Sequence, residues 1–179
     1  LTLPRIALDA MGGDKAPEAV LDGILELEKG PEAGTLRLLV TGPEDYLKPR
    51  LAGLPDVEVV HAPQVIGMDE SPATACRTKK DSSLMGMASL VAEGRADAAV
   101  SMGNSGAVMA SALLSCGRLP RVQRPAIAIP MPSYHGWAIL IDSGANTDCK
   151  ASHLAQFAVM GETYARHILG IPKPRVGLL

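Results

Sequence analysis

Apolar residues in this chain fall into short dense runs that alternate with stretches of helical spacing. Arg5 to Asp9, Leu36 to Val40, Val57 to Val60 and Ala96 to Ser101 are compact apolar runs bounded by Gly, Pro, Asp or Ser, the pattern of buried strands. Between the first two, Val20, Leu21, Ile24 and Leu25 recur at helical spacing. That predicts a helix capped by Asp14, with Pro17 in its first turn, ending at Gly30-Pro31. Ser71-Pro72 opens a short helix into Lys79-Lys80, and Ser82 or Ser83 caps another running to Gly94. Gly106 to Gly117 reads as an alanine-rich helix. Pro125 to Pro130 and Trp137 to Asp142 read as strands joined by a turn at 133–136, a candidate antiparallel hairpin. A last helix is expected from Ser152 to Gly170, burying Leu154, Phe157, Ala158, Gly161, Tyr164, Ala165 and Ile168. Arg175 to Leu179 looks like the start of a further buried strand. Strand and helix in alternation predict an α/β protein of three layers, with a mostly parallel sheet covered by helices on both faces. No linker or repeat divides residues 1–179, so one domain is expected.

Three of the strand-like runs end in loops of Gly, Asp, Ser and Asn ahead of a helical stretch: IALD-AMGGD (Ile6 to Asp14), AAV-SMGNSGA (Ala98 to Ala107) and AILI-DSGANTD (Ala138 to Asp148). In a parallel sheet, strand C-termini share one edge, so such loops are expected to meet in one crevice. Loops of small residues expose backbone N–H groups, and a following helix adds the positive end of its dipole; together they hold an anion such as phosphate. The plainer alternative is that glycine there only lets a helix pack close to the sheet. Neither GxxxxGK[ST] nor GxGxxG is present, so no nucleotide fingerprint supports a cofactor.

Cations and carboxylates add to the picture. Lys79 and Lys80 precede Ser82-Ser83 at a predicted helix start, where a phosphate would find ammonium, hydroxyl and N–H groups together; the alternative is a solvated basic turn. Asp9 and Asp142 end apolar strands, a costly place for a carboxylate unless it is hydrogen-bonded or used as a base. Cys149 with His153 four residues on is a weak nucleophile candidate, and His61, His135 and His167 show no ligand spacing. There is no Gly-x-Ser-x-Gly elbow.

Composition narrows the classes. Hydrophobic residues make up 47% of the 179, with 17 basic and 19 acidic residues, as in a folded soluble protein. A net charge of -2, with one Trp and one Phe, argues against a nucleic-acid binder. Three widely spaced cysteines fit a reducing compartment and no zinc site. Leu1 to Arg5 lacks the apolar core of a signal peptide, and the apolar stretch from Ala98 to Cys116 is interrupted by Gly103, Asn104, Gly106 and serines.

The opening ALDAMGGDKAPEAVLDG, followed in order by RTKKDSSLMGMA, ADAAVSMGNSGAVMA, RPAIAIPMP, LIDSGANTDCKASHLAQFAVMGETYA and PRVGLL, resembles the bacterial phosphate acyltransferase (PlsX) family across nearly the whole chain. Departures are small: Ser143 stands where the family usually has an apolar residue, and Lys150-Ala151-Ser152-His153 where it often has Lys-Pro-Glu-His. The resemblance implies an enzyme that moves an acyl group from acyl-acyl carrier protein to inorganic phosphate, giving acyl-phosphate for phospholipid synthesis. It implies a fold similar to the isocitrate and isopropylmalate dehydrogenases, used without a cofactor. It also implies a cytoplasmic homodimer at or near the membrane surface, of which this chain is the N-terminal half and inactive alone.

Within that frame the expected catalytic residues are Asp9, Lys80, Asn104, Asp142 and Asn146, and the expected phosphate ligands Gly12, Gly13, Lys79, Ser82, Ser83, Gly103, Ser105 and Gly106, with no metal. Asn104 and Asn146 are the candidate oxyanion or phosphate donors. Asp9 and Asp142 are expected to orient loops, one of them as base, and Lys80 to protonate the leaving sulfur. The alternatives are a nucleotide-dependent enzyme on the same fold and a non-catalytic phosphate-binding fragment.

Overall fold

The computed structural model describes residues 2–134 and 136–179; His135, in the turn of the predicted hairpin, lies outside them. The chain divides into two compact units, Leu1–Gly117 and Arg118–Leu179.

The first unit is built on a parallel sheet. β1 (Arg5–Asp9), β2 (Arg37–Gly42), β3 (Val57–His61) and β4 (Ala98–Val100) lie in the order β3-β2-β1-β4, all neighbours parallel. The period-two alternation of a strand sends its residues to two different cores. Leu8, Leu38 and Val40 pack against Val20, Leu21 and Ile24 of α1 (Glu18–Lys29) and Leu47 and Leu51 of α2 (Glu44–Leu51). Ala7 and Leu39 face the other way, onto α3 (Pro72–Thr78), α4 (Ser83–Ala92) and α5 (Ser105–Ser115) through Cys76, Leu84, Met87 and Ala107. Helices therefore cover both faces of a parallel sheet, as its apolar strands predict.

Among the helices of the first unit, α1 and α2 differ from the sequence expectation. Asp14 caps nothing: Gly13 turns the chain at φ +113°, Ala16 N–H donates to Gly13 O, and α1 starts at Glu18 with Pro17 as its N-cap. The glycine turn uses up the residues that a cap at Asp14 would need. α2 has no counterpart in the sequence expectation, because its segment is polar and carries Pro49 inside the helix. Two buried leucines, Leu47 and Leu51, anchor it to the sheet despite the lost hydrogen bond.

The second unit is smaller. β5 (Ala128–Ser133) and β6 (Gly136–Ile141) form an antiparallel hairpin, as expected, and α6 (Ala151–His167) packs on β6. β5 begins three residues later than expected because segment 125–127 is bonded elsewhere. Pro125 O accepts from Asn146 Nδ2 at 2.9 Å, and Ile127 N–H donates to Asp142 Oδ1 at 3.3 Å. Gly161 lets α6 approach the hairpin, since a Cβ there would stand 3.2 Å from Ile141 Cγ2. Phe157 and Ala165 are buried as predicted, but Leu154 and Ile168 are exposed, because two strands are too narrow to cover the whole stripe. Residues 175–179 form no strand: none of the described strands pairs with them, and Val176, Leu178 and Leu179 are exposed.

Candidate functional site

The ends of β1 and β4 are adjacent, with Leu8 opposite Val100, so the loops after them leave the sheet side by side. Asp9 closes β1 at 1% exposure. Its Oδ1 accepts from Met11 N–H at 3.0 Å, and its Oδ2 from the Ser101 hydroxyl at 2.8 Å. Ser101 Oγ in turn accepts from Gly103 N–H at 3.0 Å. A carboxyl at a buried strand end is thus satisfied by the loops it joins, which is how such a group becomes tolerable.

The glycines of these loops have specific reasons. A Cβ on Gly12 would lie 2.6 Å from Asp9 Oδ2, 2.7 Å from Ser101 Oγ and 2.8 Å from Gly103 N, so only glycine permits the approach of the two loops. A Cβ on Gly106 would meet Pro72 Cγ at 2.7 Å, so that glycine lets α5 pack on α3. Close packing therefore accounts for Gly12 and Gly106 without a ligand. It leaves their N–H groups free: among the described residues, Gly12, Gly13, Ser105 and Gly106 donate their backbone N–H to no protein acceptor. Gly103 does donate, to Ser101.

Asn104 is the N-cap of α5. Its Oδ1 accepts from Ala107 N–H at 3.1 Å, and its Nδ2 donates towards the carbonyls of Met68 and Glu70, both at 3.1 Å, and Gly67 at 3.5 Å. Its amide hydrogens are taken up in pinning the loop after β3 to the start of α5. In that loop Glu70 Oε1 accepts from Gly67 N–H and from Lys79 Nζ, each at 2.6 Å. The Gly67 N–H first and the Lys79 ammonium second hold the Glu70 carboxyl below its ordinary value. Lys79 also donates to Val65 O at 2.8 Å, so its charge is engaged with the protein. Glu70 and Ser101 are the two members of this site that motif reading passes over. A carboxylate on the loop ahead of the lysines and a serine directly after a strand are the signals that point to them.

The basic corner lies on the same sheet edge. Ser82 caps α4 through Met85 N–H, Ser83 N–H donates to Gln64 O, and both serines are buried. The buried Thr41, which pairs in register with Asp9, places its hydroxyl 2.8 Å from Ser83 O. Lys80, two residues ahead of Ser82, is exposed. The first unit thus collects Asp9, Gly12, Gly13, Lys79, Lys80, Ser82, Ser83, Gly103, Asn104, Ser105 and Gly106 at the C-terminal ends of its strands. On that edge, at the ends of β2 and β3, an open cleft of about 690 Å³ is lined by Pro43, Glu44, Asp45, Lys48, His61 and Pro63, none of them from the glycine loops. His61 Nδ1 accepts from Glu44 N–H there.

Asp142 and Asn146 belong to the second unit, in the loop that follows β6 of its hairpin, so the shared-edge expectation applies to two of the three loops. Asp142 Oδ2 accepts from Asn146 N–H at 2.9 Å and from Asn146 Nδ2 at 3.0 Å, and Arg124 Nη1 reaches Asn146 Oδ1 at 3.4 Å. The Cys149 thiol faces Asn146 O, whereas His153 Nδ1 accepts from Lys150 N–H, so the two do not form a nucleophile–base pair. Among the described residues no cluster of His, Cys, Asp and Glu has the grouping of a metal site, and no helix is long and apolar enough to cross a membrane.

Comparison with known proteins places this geometry in context. Residues 4–179 match the family described as "Fatty acid synthesis protein". The chain is similar to the phosphate acyltransferase of Halothermothrix orenii, at 46% identity over 98% of this chain and 53% of that protein. It is similar to the phosphate acyltransferase of Myxococcus xanthus, at 49% identity over 98% of this chain and 50% of that protein. The chain thus spans about half the length of the curated relatives it matches. Among solved structures, the EutD phosphotransacetylase of Staphylococcus aureus shares the fold, with a TM-score of 0.61 and 21% identity over 91% of this chain and 53% of that one.

Proposed function

From the premise that this chain belongs to the fatty acid synthesis protein family, we propose that the protein transfers a fatty acyl group from acyl-acyl carrier protein to inorganic phosphate. The observation that carries this reading is the pair of locked glycine loops at the ends of β1 and β4, which leave the N–H groups of Gly13, Ser105 and Gly106, and of the buried Gly12, without a protein acceptor beside the start of α5.

Phosphate is its own nucleophile in this reaction, so no serine or cysteine need be activated. A phosphate oxygen attacks the thioester carbon, a tetrahedral oxyanion forms, and it collapses to expel the carrier thiolate and leave acyl-phosphate. The protein's tasks are to desolvate and orient phosphate, to stabilise the oxyanion and to protonate the sulfur. Holding two reactants in line supplies roughly 7–11 kcal/mol, and one aimed oxyanion donor is worth on the order of 100- to 1000-fold in rate. The open loop N–H groups hold phosphate, Lys80 is the exposed cation of the basic corner and the proton donor to sulfur, and Asp9 and Asn104 act by positioning the loops. Asp142 and Asn146 order the corresponding loop of the second unit. The whole protein works without cofactor, as a cytoplasmic homodimer at the membrane surface, and this chain supplies its N-terminal half.

The test is thiol release from acyl-carrier protein by the whole protein, with and without phosphate. Release only when phosphate is supplied supports transfer, whereas equal release in phosphate-free buffer means hydrolysis and ends the reading. Lys80→Ala should slow turnover or weaken phosphate saturation and, as an exposed substitution, leave the melting temperature within about 1–2 °C.

A further inference from the structure

Ser101 sits where the β1 and β4 loops touch, and its hydroxyl does what few side chains can. Gly103 N–H is only a donor, and the Asp9 oxygen facing it accepts; a hydroxyl accepts from the first at 3.0 Å and donates to the second at 2.8 Å. The seat is closed on both sides by residues without a Cβ. One built on Gly12 would stand 2.7 Å from Ser101 Oγ, and one on Gly103 would stand 3.1 Å from it. The second Asp9 oxygen takes Met11 N–H, so the relay runs from the β4 loop through Ser101 and Asp9 into the β1 loop. It also turns Gly103 N–H inward, away from any ligand, while the N–H groups of Gly13, Ser105 and Gly106 stay open and that of the buried Gly12 stays unpaired.

We propose that Ser101 is the positioning residue of the anion site, locking the two glycine loops into one cradle whose open N–H groups hold phosphate. The identity of the ligand rests on the phosphate-transfer reading, whereas the lock rests on hydrogen-bond geometry alone. Donors held in place before binding lose little freedom when the anion arrives, so the lock acts on phosphate affinity.

The test uses the whole protein labelled with nitrogen-15, inorganic phosphate as probe, amide exchange and chemical-shift titration. In the unsubstituted chain, Gly103 and Met11 should be protected from exchange. Ser105 and Gly106 should exchange freely until phosphate is added. Ser101→Ala should lose protection at Gly103 and Met11 together and weaken phosphate binding roughly tenfold, the effect of losing hydrogen bonds to a charged group. Ser101→Thr, which keeps the hydroxyl, should restore affinity to within about threefold. A folded Ser101→Ala chain with unchanged affinity, or one losing protection at Gly103 but not at Met11, overturns the proposal. Should Ser101→Ala not fold, the unsubstituted chain decides: Gly103 exchanging as fast as Ser105 would overturn the lock. Failure of phosphate to shift any loop amide of the unsubstituted chain would overturn the cradle and the phosphate reading, with the lock still read separately from exchange.

Discussion

Asp9 and Asp142 each end an apolar strand and open a glycine-containing loop, yet they occupy different surroundings. Asp9 ends an interior strand of the four-stranded parallel sheet and is buried; Asp142 follows a strand of a two-stranded hairpin and is half-buried. Locally the two behave alike. Each carboxyl gathers backbone N–H groups from its own loop, Met11 for Asp9 and Asn146 for Asp142, and each reaches a second segment, Ser101 in one case and Ile127 in the other. The local motif dictates the loop bonding, whereas the number of neighbouring strands sets the burial. The same contrast runs through the two units. Among the described residues, Phe157 and Ala165 are the buried hydrophobic side chains of the second unit, while the first has two clusters, one on each face of its sheet.

The largest expected effect comes from the cores. Leu47→Ala in the first unit should cost roughly 2–5 kcal/mol in urea unfolding, because a fully buried side chain leaves a cavity. Leu154→Ala in the second unit should cost less than about 1 kcal/mol, since that side chain is already exposed. Equal costs would remove the distinction between a closed core and a partial one.

The two aspartates test it next. Asp9→Ala leaves a gap at a buried side chain and strands the part-buried Met11 N–H and Ser101 hydroxyl, for a loss of roughly 2–3 kcal/mol. At the half-exposed Asp142, water replaces part of what Asp142→Ala removes, so about 1 kcal/mol is expected. Thermal melts of both variants would show the order, and a larger loss for Asp142 would reverse the account of burial given above.

Asn104→Ala should follow, at about 1–2 kcal/mol for the lost cap. Unlike loss of a simple cap, it should also raise amide exchange around residues 67–70, whose carbonyls it holds. Exchange confined to the first turn of α5 would mean that the contacts to the β3–α3 loop contribute nothing.

The smallest effect is a pH dependence. Hydrogen bonds from the Arg5 side chain and backbone hold Asp97 at about 2, below its ordinary 3.8. A carboxyl lowered on folding adds stability that is present above its ordinary value and lost as pH falls towards about 2. Urea midpoints measured between those values should therefore decline with acid, and Asp97→Asn should flatten that decline. The pair is exposed, so salt should weaken the effect as well. An unchanged acid limb in the variant would show that other carboxyls govern it.

Much of the first unit is legible in its amino-acid sequence. Its strands are short apolar runs with punctuated ends, and its helices carry apolar stripes, so local pattern and tertiary packing agree there. α2 is not legible in this way, because its buried anchors are two leucines in a polar segment with an internal proline. β5 starts late because the residues ahead of it bond to side chains of the Asp142 loop, a contact that no local pattern reports. The same division holds at the site. The motifs locate the loops, but Ser101 and Glu70 emerge only when segments distant in sequence are brought together.

From the sequence alone come the α/β class, the glycine loops, the family resemblance and the hairpin. Each of these depends on spacing and residue type over a dozen or so positions. Tertiary structure alone decides which polar groups remain open. Asn104, Lys79 and Gly103 look from sequence like anion ligands, yet each is satisfied by a protein partner, Asn104 and Lys79 by the loop after β3 and Gly103 by Ser101 across from Asp9. Whether a donor is free depends on what the fold places within about 3 Å of it, a distance set by packing between elements rather than by the order of residues.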